Sequence, residues 1–206
     1  GSEALPDQTK EKLIKTFQCP VYSRYSSQEM GLLAQQTKQQ NDLFTLNNAS
    51  YYFEFLKLNS NEPVKEGELG RIVVTDLFNK AMPLLRYDTG DIGSFNYSSD
   101  GKKYLYRIDG RKTDFVYNTR DELISPHAVS MAMWKFNEIK QFQFIQKGRK
   151  EYKVLVNATE SFNEELLINN MKRQMGEDAK ISVEFIDEIP VLSSGKRRYI
   201  VNEMLS

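Results

Sequence analysis

The sequence predicts an α+β protein in two parts, a β-rich, barrel-like subdomain followed by a small α+β domain joined to it by a hinge. Three observations predict this. From residue 19 to about 110, short apolar or alternating segments recur between Gly, Asn, Asp and Ser clusters, which is the pattern of strands joined by turns. From about residue 111, strand-like and helix-like periods alternate, as in a mixed unit. A chain of 206 residues is also long enough for one large domain or two small ones. The boundaries read as 1–110 and 111–206.

The elements follow in order. Residues 7–17 (DQTKEKLIKTF) predict a helix, with Pro6 and Asp7 as start signals and Leu13, Ile14 and Phe17 on one face. In SYYFEFLKL, Tyr51, Phe53 and Phe55 share a strand face, although Tyr52 and Leu56 break strict alternation. GRIVVTDL is an apolar run bounded by turns, and Ser98-Ser99-Asp100-Gly101 predicts a hairpin between FNY and KYLYRI. Beyond the boundary, FVY and ELIS flank the turn-forming Asn118-Thr119-Arg120-Asp121, and a helix carries Val129, Ala132, Met133 and Phe136. Strands around KQFQFIQK and EYKVLVNA follow, with Gly148 between them. Ser161-Phe162-Asn163-Glu164 has capping-box spacing and opens a helix running to about Met175. KISVEFI is the last strand expected, before a loop and a short tail.

Composition excludes several classes. Lys and Arg number 28, equal to Asp and Glu at 28, so the basic footprint of a nucleic-acid protein is absent. Twelve Phe, eleven Tyr and one Trp supply core material that disordered chains lack. No apolar run approaches the roughly 18 residues of a membrane helix. A single cysteine, Cys19, rules out an internal disulfide and is expected to be a buried, inert thiol in a reducing cytoplasm. His127 is the only histidine and reads as a helix-start residue after Pro126. The Gly1-Ser2 start reads as a cloning remnant, with the chain beginning inside a longer protein.

Chemistry is concentrated in five turn stretches: Tyr25-Ser26-Ser27-Gln28-Glu29-Met30-Gly31, Arg86-Tyr87-Asp88-Thr89-Gly90-Asp91, Asp109-Gly110-Arg111-Lys112-Thr113-Asp114, Asn118-Thr119-Arg120-Asp121, and Pro190-Val191-Leu192-Ser193-Ser194-Gly195-Lys196-Arg197-Arg198. Singly, each is ordinary turn or surface chemistry. The Gly-Lys is not a P-loop, because Pro190 stands where the first glycine belongs and Arg197 where Ser or Thr belongs.

In order, these motifs resemble the adenylate-forming superfamily of acyl-CoA synthetases, peptide-synthetase adenylation domains and luciferases. PVYSRYSSQEMG, AMPLLRYDTGDIG and VLSSGKRRY are most similar to the phenylacetate–CoA ligase branch and its capsular polysaccharide biosynthesis relatives. The resemblance spans essentially the whole chain, but only the family's C-terminal half. It implies that residues 1–110 are the last β-rich part of the large AMP-binding domain, and 111–206 its small mobile domain. The parent would join a carboxylic acid to ATP with Mg²⁺, with CoA or another acceptor taking the acyl group next. Tyr25 would stack on adenine, Glu29 would hold Mg²⁺, Asp91 would accept the ribose hydroxyls and Arg111 would support the ribose and phosphates. Lys196 would be the catalytic cation at the α-phosphate, and Thr113 the hinge.

The sequence departs from the family at Ser26 and Gln28, where Gly and Thr or Ser are usual, and the 118–122 turn lacks the usual Gly. The changes at Ser26 and Gln28 raise an alternative, a non-catalytic nucleotide-binding or interaction module. No phosphate loop or acyl pocket is present, so the chain by itself is expected to be inactive.

Overall fold

The computed structural model describes residues 5, 7–38, 40–191 and 197–204. The chain divides into two compact units, Gly1–Ile108 and Asp109–Ser206.

The first unit opens with helix α1 (Asp7–Phe17), where the sequence predicts one. Its apolar stripe is poorly covered: Ile14 is 39% exposed and Phe17 67%. Seven strands follow: β1 (Arg24–Ser27), β2 (Gly31–Thr37), β3 (Gln40–Leu46), β4 (Tyr51–Leu56), β5 (Gly70–Asp76), β6 (Tyr87–Tyr97) and β7 (Lys103–Arg111). They form one sheet in the order β1-β2-β3-β7-β6-β5-β4. Tyr25, Leu33, Leu46, Phe53, Ile72, Phe95 and Leu105, one from every strand, share a single buried cluster. The two edge strands therefore feed the same core, and the Tyr51 hydroxyl on β4 donates to the Met30 carbonyl just beyond β1. That contact curls the sheet toward itself and satisfies a polar group in the core. Gly101, with φ 75°, makes the expected β6–β7 turn, closed by a bond from Ser98 N to Lys102 O at 2.9 Å.

The second unit packs two helices against a four-stranded sheet. After a 3₁₀ turn (Lys112–Asp114) come the short hairpin β8 (Val116–Tyr117) and β9 (Leu123–Ile124), and then α2 (Pro126–Met133). Ser125 caps α2, accepting from Ala128 N at 3.2 Å, and Pro126 takes the first turn, where its missing N–H costs nothing. Strands β10 (Ile139–Gly148) and β11 (Glu151–Ala158) pair antiparallel, α3 (Glu164–Met175) follows, and β12 (Lys180–Phe185) lies parallel to β11. The tail adds a strand that the sequence reads as loop: β13 (Ile200–Asn202) pairs parallel with β10, completing the order β12-β11-β10-β13. A three-residue strand shows no periodicity, and its pairing with residues 144–146 is non-local. Phe144, Val154, Leu167 and Met171, all 0% exposed, are the centre of this unit's own core.

Two expectations are corrected. The cap of α3 is Asn163, accepting from Leu166 N at 3.0 Å, whereas the Ser161 hydroxyl lies 3.1 Å from that of Thr159. Asn is as good a cap as Ser, and the position two residues later is the one at the helix end. Cys19 is exposed, because it follows the end of α1 on the chain leading to Pro20 and lies outside the sheet core. Among the described residues, no helix is long and apolar enough to cross a membrane.

The phenol of Tyr152, 2% exposed, donates to the Tyr117 carbonyl at 2.7 Å. Burial, with Asp178 and Asp121 adding to it, pushes its pKa up to about 12. The unfolded chain ionises such a phenol near pH 10, so the shift leaves stability untouched below about pH 10 and erodes it as pH rises toward 12. The slope over that window is at most about 1.4 kcal/mol per pH unit. Urea midpoints measured from pH 9 to 12 should fall more steeply in the parent sequence than in Tyr152→Phe.

Candidate nucleotide site

In the first unit, the structure brings together two residues that the motifs single out independently. The Tyr25 hydroxyl donates to Asp91 Oδ2 at 2.8 Å across 66 residues of sequence. Tyr25 is 7% exposed, its ring within the core cluster, and Asp91 is half-buried. Both sit at irregularities in the sheet. The β1–β2 register shifts between Tyr25 and Ser26. On the other side, Arg71 faces Ile92 and Val73 faces Asp88, so two steps of β5 are matched by four of β6. Such a bulge bends the strand and re-aims the side chains on it.

The sequence builds this bulge locally. Gly90 adopts φ 76°, which a β-carbon would strain. The Asp88 carboxylate accepts from Gly90 N at 3.1 Å and is paired with the Arg71 guanidinium. The Thr89 hydroxyl donates to Ile72 O at 2.8 Å and accepts from Asp91 N at 3.2 Å. Arg71, Asp88 and Thr89 thus hold the loop that presents Asp91. Sequence reading missed this supporting role; Thr-Gly-Asp directly after Tyr-Asp was the available signal.

Glu29 lies in the turn between β1 and β2 and is exposed, one residue before buried Met30. Among the described residues, no group of three or more His, Cys, Asp or Glu could hold a metal ion. A lone carboxylate still suits Mg²⁺, which commonly keeps several waters and is shared between one or two carboxylates and substrate phosphates.

The remaining candidates lie in the second unit. Arg111, at the end of β7, and Thr113, in the 3₁₀ turn, are both exposed. Lys196 lies outside the described residues, as do the Leu192, Ser193, Ser194 and Gly195 before it. The residues beyond it are firmly held. Arg197 Nε donates to Ile189 O at 3.0 Å, and its guanidinium pairs with Glu188. Arg198 Nη2 reaches Asp114 Oδ1 at 2.8 Å, linking the Gly-Lys-Arg-Arg motif to the residue after Thr113. Neither the Asp114 role nor the Arg198 role was anticipated; they are 84 residues apart, and only folding pairs them.

The 118–122 turn is rigidly built. Asn118 is 1% exposed and its Oδ1 accepts from Arg120 N and Glu122 N, each at 2.9 Å. Thr119 N donates to Met175 O at 2.7 Å, which satisfies a carbonyl at the end of α3. The left-handed residue is Asp121, with φ 61°, one of the few types that tolerates it. A turn without glycine is therefore accommodated. Beside it, bonds from Lys150 and Thr119 hold the Asp178 pKa down to about 2.

Comparison with known proteins agrees with this architecture. Residues 116–203 match the family described as the CapK C-terminal domain. Protein CapK of Staphylococcus aureus is 25% identical over 215 residues, covering 99% of this chain but 46% of that protein. The chain thus spans about half the length of this curated relative. A 2-hydroxyisobutyryl-CoA ligase in complex with 2-HIB-AMP has a TM-score of 0.71 at 19% identity, over 95% of this chain and 45% of that one. The O-succinylbenzoate coenzyme A synthetase MenE of Bacillus subtilis, in complex with AMP, gives 0.69 at 16% identity over 97% and 44%. ATP-bound MatB of Rhodopseudomonas palustris gives 0.70 at 14% identity over 93% and 41%. The chain therefore has the fold seen in these CoA ligases, and its residues 116–203 match the family described as the CapK C-terminal domain.

Proposed function

We propose that the chain is the C-terminal part of an ATP-dependent ligase that converts a carboxylic acid to an acyl-adenylate and releases pyrophosphate. The observation that carries this reading is the bond from Tyr25 to Asp91, which unites two motifs distant in sequence. That the ligases of similar fold were solved with an acyl-AMP, AMP or ATP supports a nucleotide as ligand. Asp91 receives the ribose hydroxyls, since a carboxylate has acceptor positions for several donors at once. Tyr25 orients that carboxylate through its hydroxyl and, though only 7% exposed, is the residue that would stack on adenine. Mg²⁺, held at Glu29, would neutralise phosphate charge. Arg111 supports the ribose and phosphates, Thr113 is the hinge residue, and Lys196 would be the catalytic cation for the α-phosphate.

Residues 1–110 then belong to the large AMP-binding domain and 111–206 form its mobile companion, in a cytoplasmic enzyme related to the phenylacetate–CoA branch. CoA is one candidate acceptor. The 118–122 turn carries Arg120 and Asp121 in place of a glycine tip, so a thiol acceptor passes a bulkier, charged edge.

The test is carboxylate-dependent ATP–pyrophosphate exchange by the longer protein. Exchange with no carboxylic acid tried would overturn the ligase reading. Within the chain itself, Tyr25→Phe keeps the ring and removes one hydrogen bond. It should cost the first unit about 1 kcal/mol in urea unfolding and weaken AMP binding several-fold. Lost stability with unchanged AMP affinity would assign Tyr25 to the core alone.

A further inference from the structure

Apolar side chains gather on the surface at one place in the first unit, the connection from β5 to β6. Leu85 at 72% and Phe78 at 70% are the most exposed large apolar side chains among the described residues, and Leu77 and Met82 on the same connection are each more than half exposed. The set continues onto β4, the last strand in the sheet order. There Tyr52, also more than half exposed, faces Thr75 across the pair, and the Thr75 hydroxyl accepts from Arg86 N, directly after Leu85, at 2.9 Å.

The connection is held in this shape by its own hydrogen bonds. Asp76 Oδ1 accepts from Phe78 N at 2.8 Å and Asn79 N at 3.0 Å, and Asn79 Oδ1 accepts from Met82 N at 3.1 Å. Leu77 N donates to Ser50 O at 3.0 Å, and Asp76 N to Leu84 O at 2.9 Å. At the base, the Arg86 guanidinium forks onto Glu54 at 2.9 and 3.0 Å. The backbone is thus fixed with its largest apolar side chains turned to water. Apolar residues exposed singly are ordinary, but a contiguous set on a fixed backbone marks a surface that another surface covers.

We propose that this face docks the part of the longer protein that lies outside this chain, an inference that rests on reading the chain as the C-terminal part of a ligase. More than half of protein CapK, and of each of the three ligases of similar fold, lies beyond the stretch this chain matches, so those proteins hold the polypeptide to cover it. A second copy of this chain is the poorer occupant. A two-fold contact through the patch would set exposed Lys80, in the middle of the connection, against its own counterpart, and like charges there oppose association. A fixed apolar face also loses little conformational freedom on docking, which favours burial against a neighbouring subdomain.

The test is maleimide labelling of Phe78→Cys and Leu85→Cys, each with Cys19→Ser, in this chain and in the longer protein. Ser99→Cys, in the exposed β6–β7 turn, is the reference, and matching circular dichroism checks that each variant is folded. Since thiol reactivity follows exposure, labelling at positions 78 and 85 should slow at least about tenfold in the longer protein, with position 99 nearly unchanged. Equal rates in the two proteins would overturn the proposal, even where the longer protein performs pyrophosphate exchange. Labelling of this chain alone that slows as its concentration rises would overturn it in favour of a second copy. Protection at 78 and 85 in a longer protein without exchange would support the docking face and count against the ligase reading alone.

Discussion

Lys196→Ala in the longer protein is expected to lower carboxylate-dependent ATP–pyrophosphate exchange by about 100-fold or more, the usual loss when a preorganised charge is removed from a developing anion. Adenylation brings a carboxylate against an α-phosphate, so negative charge accumulates where two anions meet, and one lysine positioned there acts mainly in the transition state. The loss should therefore fall on kcat, with KM for ATP changing little. Neighbouring cations are poorly placed to compensate. Arg197 is bound to Glu188 and the Ile189 carbonyl, and Arg198 to Asp114. Lys196→Arg should recover only part of the rate, because a planar fork does not replace a compact ammonium. Intact exchange in Lys196→Ala would remove the lysine from the mechanism while leaving the Tyr25–Asp91 nucleotide site to be judged by AMP binding.

Gly93→Val should destabilise the first unit by about 3 kcal/mol, the upper range for overpacking a well-packed core. A β-carbon at Gly93 would lie 2.5 Å from the Arg107 carbonyl, 3.0 Å from Ile72 Cδ1 and 3.3 Å from Leu105 Cδ1. Its cross-strand partner on β5, Gly70, is similarly crowded, since a β-carbon there would lie 2.8 Å from the Leu56 carbonyl. Backbone cannot move aside as a flexible side chain can, so β6 must shift, and Asp91 two residues earlier shifts with it. Urea unfolding can separate the units. The only tryptophan, Trp134, packs against the second unit's core, so its fluorescence transition should be nearly unchanged while far-UV dichroism gains an early transition. AMP binding should fall with it. A single unshifted transition by both probes would show that the strand absorbs the side chain.

Legibility in the sequence follows the range of the interaction that makes each feature. Helix α1, the Ser98–Gly101 turn and the strands β4, β5, β10, β11 and β12 rest on periodicity and turn chemistry within a few residues, and they stand where the sequence predicts them. The end of α3 at Met175 was also local, being followed directly by Gly176. The cap slipped from Ser161 to Asn163 because two good caps lie within one turn, and only helix geometry chooses between them. Strand β13 and the Tyr51–Met30 contact across the sheet depend on partners far along the chain, so no window of sequence contains them. The exposure of Cys19 differs from expectation for a related reason, since burial is decided by what packs over a residue.

The candidate site divides in the same way. The sequence by itself determined its ingredients: a tyrosine and an acid in one turn, Thr-Gly-Asp in another, Gly-Arg at the unit boundary and Gly-Lys near the end, in an order that resembles one superfamily. Turn residues carry this information because their backbone conformations and hydrogen bonds are local. The tertiary structure alone decided that Tyr25 donates to Asp91, that a two-residue bulge held by Arg71, Asp88 and Thr89 presents that acid, and that Arg198 reaches Asp114. Those are contacts between strands and loops tens of residues apart, and only closure of the sheets over their cores brings such groups within hydrogen-bond range.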